Sequence, residues 1–359
     1  MTHSTARRRR TATLLAAAAS LAVGLAASPA NAAATWESLT VPENIVDMTL
    51  LPFDSQNAYA RTQLQCMNLC RAVPPKLWQK SGSTWKQLKP PTEVAFDTLA
   101  GTGPNDLWAI GRKDIGNRVW HVHHYDGTKW SADLSPDTTK VEILDAEAVS
   151  KNSLWGVGNT RNADFNPMIT HWDGAKWDTK TFTDIKGSFE SVDVRSENDI
   201  WAVGYGSVSE QAADYQPLAM HYDGTKWSKV PLPATPGDGN SVLREVFSNG
   251  PNDVWASSWV DVWHWNGTTW TRQDLPTPGW AMSFAGHGGQ VYAGVQPQGS
   301  SGAKLVRWNG TSWEAADSAL TNVRTVNQLA NTPDGAMYAL YQNYSYENFL
   351  SRLAPPTAR

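Results

Sequence analysis

The sequence predicts an all-β protein, a seven-bladed β-propeller closed by an N-terminal outer strand that completes the last blade. Three observations predict this fold. A glycine turn followed by tryptophan returns every 43–50 residues, an aromatic–small pair occurs seven times, and a Trp-led segment near the N-terminus looks like one of the outer strands. A period of about 40–50 residues made of short strands is typical of a propeller with one four-stranded blade per repeat.

The recurring turn has the pattern Asp/Asn-Gly-x-x-Trp. Asp-Gly and Asn-Gly between short apolar runs favour a tight hairpin, because both residues tolerate positive φ. Ser81-Gly82 replaces the motif in the first copy. The turn predicts the link between the third strand and the outer strand of each blade, and six tryptophans begin such outer strands: Trp85, Trp130, Trp177, Trp227, Trp270 and Trp313.

The aromatic–small pair predicts the second strand of each blade. Several copies follow a polar turn such as Pro104-Asn105-Asp106, which suits a link between the first and second strands. The seven copies are Tyr59-Ala60, Trp108-Ala109, Trp155-Gly156, Trp201-Ala202, Trp255-Ala256, Tyr292-Ala293 and Tyr338-Ala339.

Seven second strands and six glycine-turn outer strands leave one outer strand to be found. The last strand-like segment, Phe349–Leu353, has the character of a third strand, and residues 35–42 resemble the outer strand that begins at Trp227. We therefore expect the N-terminal segment to complete the seventh blade. Such a closure pairs an edge that would otherwise stay open.

Residues 1–32 are predicted to be a signal peptide and residues 33–359 a single propeller domain. Arg7–Arg10 form a positive region, residues 14–27 an apolar run, and Ala30-Asn31-Ala32 a small-residue cleavage site. A membrane anchor is the weaker alternative because the run is short and rich in alanine. We expect a secreted protein, exported by either the Sec or the twin-arginine route.

The charge balance argues against a nucleic-acid partner. The full chain has a formal net charge of −4, and removal of the four arginines of the leader makes it −8. Binding to phosphate backbones or anionic lipid depends on clustered Lys and Arg. We expect neither nucleic-acid binding nor membrane insertion.

Cys66 and Cys70 are the only cysteines. In an exported protein they favour a disulfide. Metal binding by Cys-x-x-x-Cys is the alternative, but the sequence has no nearby companion ligand. Four histidines share the repeat position before the turn aromatic, and we expect them to hydrogen-bond across their blades and not to form a metal ring: His124, His171, His221 and His264. No metal and no cofactor is predicted.

Candidate ligand-binding residues occupy the position four residues after each second-strand aromatic. Strand alternation places them on the side of that aromatic, near the variable loops. Each can hydrogen-bond or stack, and sugars are bound by such mixtures of planar polar groups and aromatic faces. The seven are Gln63, Arg112, Asn159, Tyr205, Trp259, Gln296 and Gln342.

Trp280 and Trp120 are further candidates because, like Trp259, they fall outside the repeat register. We expect these three indoles to be exposed stacking platforms for a ligand. The alternative is that they fill gaps in the blade core, where large apolar side chains usually lie.

The Tyr/Trp-Asp-Gly-x-x-Trp turn inside a Trp-rich exported ring resembles bacterial seven-bladed propeller lectins. It is also similar to the lectin-type propeller subunits of secreted umbrella toxin particles. The resemblance implies sugar pockets between blades and non-enzymatic recognition of a glycan or cell-wall polymer. It also leaves open a targeting role with a secreted protein partner.

Two other classes of function stay open. Long loops on one face suit a protein–protein scaffold. The other class is a propeller glycosidase or lyase, and a glycosidase needs two carboxylates across a cleft. Asp114, Asp164, Glu210 and Asp214 lie in the variable loops, but none has a recognisable partner. We therefore predict a binding protein and no catalytic residues.

Overall fold

Seven antiparallel sheets form the blades of a β-propeller in this computed structural model. The structure describes residues 35–44, 46–64, 74–91, 95–112, 119–137, 140–161, 164–207, 215–233, 242–299, 302–316, 320 and 322–356. The predicted signal peptide and the predicted Cys66–Cys70 disulfide lie outside these residues. No helix that could span a membrane occurs in the described part of the chain.

The blades are numbered in chain order, and within each the strands run from the axis outward. Blade 1 contains β2 (Val46–Pro52), β3 (Asn57–Leu64), β4 (Lys76–Ser81) and β5 (Thr84–Leu88). Blade 2 contains β6 (Ala95–Gly103), β7 (Asp106–Arg112) and β8 (Trp120–Tyr125). Blade 3 contains β9 (Val141–Ser150), β10 (Ser153–Thr160), β11 (Pro167–Trp172) and β12 (Trp177–Thr181).

Blade 4 contains β13 (Lys186–Ser196), β14 (Asp199–Ser207), β15 (Gln216–Tyr222) and β16 (Trp227–Lys229). Blade 5 contains β17 (Glu245–Gly250), β18 (Asp253–Ser257), β19 (Val262–Trp265) and β20 (Trp270–Gln273). Blade 6 contains β21 (Gly279–His287), β22 (Gln290–Pro297), β23 (Lys304–Trp308) and β24 (Trp313–Ala315). Blade 7 contains β25 (Thr325–Asn331), β26 (Met337–Gln342), β27 (Asn348–Leu353) and, on its outer edge, β1 (Trp36–Leu39).

The Asp-Gly turns form as predicted, but the two residues act differently. Gly127 has φ of 92°, whereas the Asp126 carboxylate accepts hydrogen bonds from the Thr128 and Lys129 amides, both at 2.9 Å. A Cβ on Gly127 would lie 2.3 Å from the Asn105 side chain, which belongs to the first polar turn of the same blade. Glycine is therefore required both for its backbone conformation and for the contact between the two turns.

The tryptophans at the repeat positions fill the seams between blades. Trp108, Trp201 and Trp255 of the second strands are almost completely buried, and so are Trp270 and Trp313 of the outer strands. Other outer-strand indoles are half-buried and donate to a carbonyl of the preceding blade's outer segment. These bonds join Trp85 to Thr40, Trp130 to Lys89 and Trp177 to Leu134, at 2.9, 3.0 and 2.6 Å.

A ring of polar side chains joins the blades near the axis. One equivalent position on each inner strand is polar: Thr49, Thr98, Asp145, Ser191, Glu245, Ser283 and Gln328. We call these seven residues the axial ring. Most of them bond to the inner strand of the next blade. Asp145 accepts from the Val192 amide at 2.9 Å, and Gln328 both accepts from the Leu50 amide and donates to its carbonyl, each at 2.8 Å.

The axial channel inside this ring is acidic. It encloses about 400 Å³ and is lined by residues of six inner strands, among them Asp145 and Glu245. Burial raises the pKa of Glu245 to about 8, with further contributions from the charges of Asp145 and Asp193. Burial likewise raises the pKa of Asp145 and of Asp193 to about 6 each. Asp145, Asp193 and Glu245 are each half-buried.

The predicted N-terminal closure is confirmed. β1 pairs with β27 in antiparallel register, with Trp36 opposite Leu353 and Leu39 opposite Leu350. Trp36 also packs against the core between blades 6 and 7, and Glu37 forms an ion pair with Arg352. Seven blades result, six with four strands. Blade 2 has three regular strands among the described residues, with an isolated bridge from Tyr125 to Trp130 in place of the outer strand.

Loss of the closing strand is expected to destabilise the ring. Trp36→Ala should lower the free energy of unfolding by about 1–2 kcal/mol, because a half-buried aromatic contact and its packing are removed. Chemical denaturation measures the change. Glu37→Gln, on the same strand, is the control and should cost less than about 1 kcal/mol, since the Glu37 side chain of the ion pair is mostly exposed. Equal costs for the two variants would contradict a closure held by Trp36.

The acidic channel is expected to make stability fall as pH rises. The raised pKa values mean that the folded chain holds more protons than the unfolded chain between about pH 4 and pH 8, so the free energy of unfolding decreases across this range. Glu245→Gln should flatten the decrease and stabilise the protein at about pH 8 by on the order of 1 kcal/mol. Urea denaturation at about pH 5 and about pH 8 tests this.

Asp126→Asn provides the control for this measurement. Hydrogen bonds from Thr128 and Lys129 lower the pKa of Asp126 to about 2. Its contribution to stability is therefore lost only as pH falls from about 4 toward 2, and the slope between about pH 5 and pH 8 should not change. If the free energies of unfolding of the wild type and Glu245→Gln change in parallel with pH, the assignment of the pH dependence to Glu245 would be refuted.

Candidate functional site

The most exposed indole in the described part of the chain lies in a tight turn of blade 5. β18 and β19 are joined by Ser258–Asp261 alone, and the Ser258 amide donates to the Asp261 carbonyl at 2.9 Å. The Ser258 hydroxyl accepts from the Asp261 amide at 3.0 Å. A turn this short cannot fold its middle side chains inward, so Trp259 and Val260 are 49% and 53% exposed.

Two neighbours fix the indole of Trp259. The Arg244 guanidinium carbon lies 5.2 Å from its ring centroid, within the range of a cation–π contact. Trp280 of the next blade meets it edge to face, with centroids 6.0 Å apart and an interplanar angle of 83°. Arg244 is itself held by an ion pair of 3.1 Å with Glu190 of blade 4. Trp259 is therefore an exposed but ordered aromatic surface.

A cleft opens beside Trp259 between blades 5 and 6. It encloses about 410 Å³ and is lined by the two indoles, by Val260, and by the polar side chains of Gln273, Asp274 and Gln298, among others. We call it the Trp259 cleft. Arg272 also lines it and forms an ion pair of 2.7 Å with the buried Asp261. The cleft thus combines aromatic faces with hydrogen-bonding groups.

Tyr205 of blade 4 lies close enough to Arg244 and Glu190 for their charges to act on its hydroxyl. Its ring lies 4.7 Å from that of Tyr215, and burial, followed by the charge of Glu190, raises the pKa of Tyr205 to about 12. Burial also raises the pKa of Glu190, against the opposing effect of Arg244. Tyr205 therefore stays a neutral hydroxyl at physiological pH, able to donate and to accept a hydrogen bond.

The candidate residues of blades 4 to 6 come together, whereas the others do not. Trp259 and Trp280 line one cleft, Gln296 pairs with Trp280 across the sheet, and Tyr205 lies near Arg244. Gln63 and Arg112 are half-buried on blades 1 and 2 and contact Arg61 and Asp97 respectively.

Three candidates are buried and offer little surface to a ligand. Asn159 is 3% exposed and donates to Ser188 at 3.3 Å, and Gln342 is 2% exposed and donates to Asn348 at 3.1 Å. The expectation that Trp120 is exposed is wrong, because it is 3% exposed and packs in the core between blades 2 and 3. Trp120 alternates with Val122 on β8, and both side chains face that core.

The four in-register histidines hydrogen-bond within their blades. The Nε2 atoms of His124, His221 and His264 lie 2.7–2.8 Å from a carboxylate at the start of the second strand: Asp106, Asp199 and Asp253. His171 meets the Ser153 hydroxyl at 2.9 Å instead. Each imidazole also lies against the second-strand indole, with centroids 4.0–4.5 Å apart. These groups join the second and third strands.

Arg244 and Glu190 are the residues of the candidate site that sequence reasoning missed. Arg244 precedes β17, and Glu190 lies at a register shift of β13, so neither occupies a position that the repeat marks. The available signal was the shortness of the β18–β19 connection, since it leaves the Trp259 side chain exposed to contacts from neighbouring segments. Most of the longer variable loops lie partly outside the described residues.

The sequence matches no protein-family model and no curated protein. Solved propellers match its fold. YCF48 bound to D1 peptide has a TM-score of 0.53 at 13% identity, covering 88% of this chain and 97% of that chain. The propeller domain of the trilobed protease from Pyrococcus furiosus has a TM-score of 0.58 at 8% identity, covering 87% of this chain and 94% of that chain. A chain of the mitotic checkpoint complex has a TM-score of 0.58 at 12% identity, covering 96% of this chain and 100% of that chain. The chain is a β-propeller whose structural neighbours include both enzymes and binding proteins.

Proposed function

We propose that this propeller is a secreted, non-enzymatic recognition module that binds a glycan or a cell-wall polymer in the Trp259 cleft. The observation that carries the proposal is the fixed and half-exposed indole of Trp259 beside Trp280. Export rests on the leader-like sequence of residues 1–32 alone. The resemblance to propeller lectins agrees with the same function.

The chemistry of the cleft suits a sugar. An indole face offers an apolar surface to the C–H groups of a pyranose ring, while amides and carboxylates satisfy its hydroxyls. Gln273, Asp274 and Gln298 line the same cleft as the two indoles. Because Trp259 is already held by Arg244 and by its turn, little side-chain entropy is lost when a ligand binds.

Binding without turnover is favoured by the carboxylates present. Glycoside hydrolysis uses two carboxyl groups placed across the scissile bond. Among the described lining residues of the cleft Asp274 is the single carboxylate, and the nearby Asp261 is buried in its ion pair with Arg272. We therefore expect the bound glycan to be released unchanged.

A protein partner is the second candidate, and Val260 favours it. A half-exposed valine next to an exposed tryptophan and an arginine resembles the centre of a protein-binding surface, where Trp and Arg contribute most. One structural neighbour is described as bound to a peptide. A targeting subunit of a secreted toxin complex would fall in this class, and co-purification from culture fluid would identify its partners.

Trp259→Ala tests the proposal. The mature protein should be retained on at least one glycan or insoluble cell-wall polymer, and the variant should bind at least about tenfold more weakly, which corresponds to 1.4 kcal/mol. Glycan arrays and pull-downs identify the ligand, and calorimetry measures the affinity. Trp280→Ala should show a similar loss, because its edge supports the first indole.

Tyr344→Ala is the matched control, since Tyr344 is 47% exposed but lies on blade 7. It should bind as wild type does, and thermal unfolding should show that all three variants are folded. If the propeller retains a secreted protein and binds no glycan, the result would favour the second candidate. Release of soluble sugar from the polymer would overturn the non-enzymatic proposal. Glycan binding that survives both tryptophan substitutions would overturn the assignment to the Trp259 cleft.

A further inference from the structure

We propose that His121, His123 and Asp133 of blade 2 form a binding site for Zn²⁺. A ring nitrogen of each histidine and one carboxylate oxygen of Asp133 lie within 4.8 Å of one another. Two imidazoles and one carboxylate are a common ligand set for zinc sites that keep a fourth position open. This site is separate from the Trp259 cleft and does not depend on the proposed function.

The strand geometry brings the two imidazoles together. His121 and His123 are two residues apart on β8, so their side chains point to the same face of the sheet. Their rings are stacked, with centroids 6.3 Å apart and an interplanar angle of 14°. Trp120 and Val122 point the opposite way, into the core between blades 2 and 3, which leaves the histidines on the face toward blade 1.

The irregular outer edge of blade 2 supplies the third ligand. The segment 131–135 runs beside β8, with the Ser131 and Leu134 amides donating to the His124 and Val122 carbonyls at 2.7 and 2.8 Å. The Val122 amide donates to two side chains of this segment and not to a backbone carbonyl. Its acceptors are the Ser135 hydroxyl at 3.0 Å and the Asp133 carboxylate at 3.3 Å. This departure from a regular strand turns the Asp133 carboxylate toward the histidines.

Second contacts orient two of the three ligands, His123 and Asp133. His123 lies with Nδ1 at 3.3 Å from the Ser131 carbonyl, and a proton donated there leaves the lone pair on Nε2. Metal-bound imidazoles are usually oriented by such a bond from their other nitrogen. The second oxygen of Asp133 accepts from the Ser135 amide at 3.0 Å, which fixes the carboxylate.

The closest pair of ligand atoms must separate when a metal binds. His121 Nδ1 lies 2.5 Å from Asp133 Oδ2. Two ligands at the usual zinc distances of about 2.0–2.1 Å are about 3.3 Å apart in a tetrahedron. Opening this pair by less than about 1 Å lets an ion replace the shared proton. The side chains of His121 and Asp133 are 18% and 39% exposed, so an ion can enter from solvent.

The same position in the other blades lacks this ligand set. Strand pairing places His124 in register with Gln79, His171, His221, His264, Arg307 and Arg352. The residues equivalent to His121 and His123 are therefore Lys76 and Trp78, Met168 and Thr170, Leu218 and Met220, Asp261 and Trp263, Lys304 and Val306, and Phe349 and Ser351. In none of these pairs are both side chains metal ligands.

Calorimetry with Zn²⁺ on the mature, untagged protein tests the site after treatment with a chelator. We expect one Zn²⁺ per chain, and a rise in the unfolding temperature when Zn²⁺ is added. Co²⁺ should give the visible absorption of a cobalt ion bound to nitrogen in low coordination. His121→Asn and Asp133→Asn should each weaken binding by more than about 100-fold, since even residues that only orient a ligand cost 10–100-fold.

His171→Asn is the matched control, because it removes a half-buried histidine of the next blade from the same kind of strand. It should retain Zn²⁺ binding and the cobalt spectrum. A wild-type protein that binds no Zn²⁺ would overturn the proposal. It would also be overturned by weak binding at several sites that both His121→Asn and Asp133→Asn leave unchanged.

Discussion

The hydrogen bonds of the axial ring are the constraint on which the rest of this propeller depends. Each blade is a separate hairpin stack that buries its faces only against its neighbours, and apolar contact alone fixes no register between sheets. The polar side chain that reaches the next inner strand supplies that register, as Asp145 does for Val192 and Gln328 for Leu50. The outer positions, including the Trp259 cleft, are placed by these contacts.

The repeat was sufficient to predict the blade count and the closure, because turns and aromatic pairs depend on local sequence. Gly127 is needed for its backbone angle, and Trp108 for its volume, wherever the blade lies in the ring. The axial ring could not be predicted in this way. Its members share polarity but not residue type, and β-bulges shift their spacing from one inner strand to the next.

The exposure of a candidate side chain could be predicted where its loop is short. It could not be predicted where packing within the blade decides whether the side chain is buried. Trp259 follows a strand by two residues and precedes another by three, so no room remains to bury it. Trp120 looked similar in sequence, yet it begins β8 on the core-facing side. Arg244, just before β17, contacts the Trp259 indole from another segment of the chain, and such a contact carries no local sequence signature.

The pairing of β1 with β27 has a consequence for synthesis. Trp36 and Leu353 are joined across nearly the whole chain, and contacts of such high sequence separation form late because their loop-closure entropy is large. While the nascent polypeptide is still growing, β1 has no partner, and the edge it will cover does not yet exist. The completed ring is thus assembled only after translation has delivered the last blade.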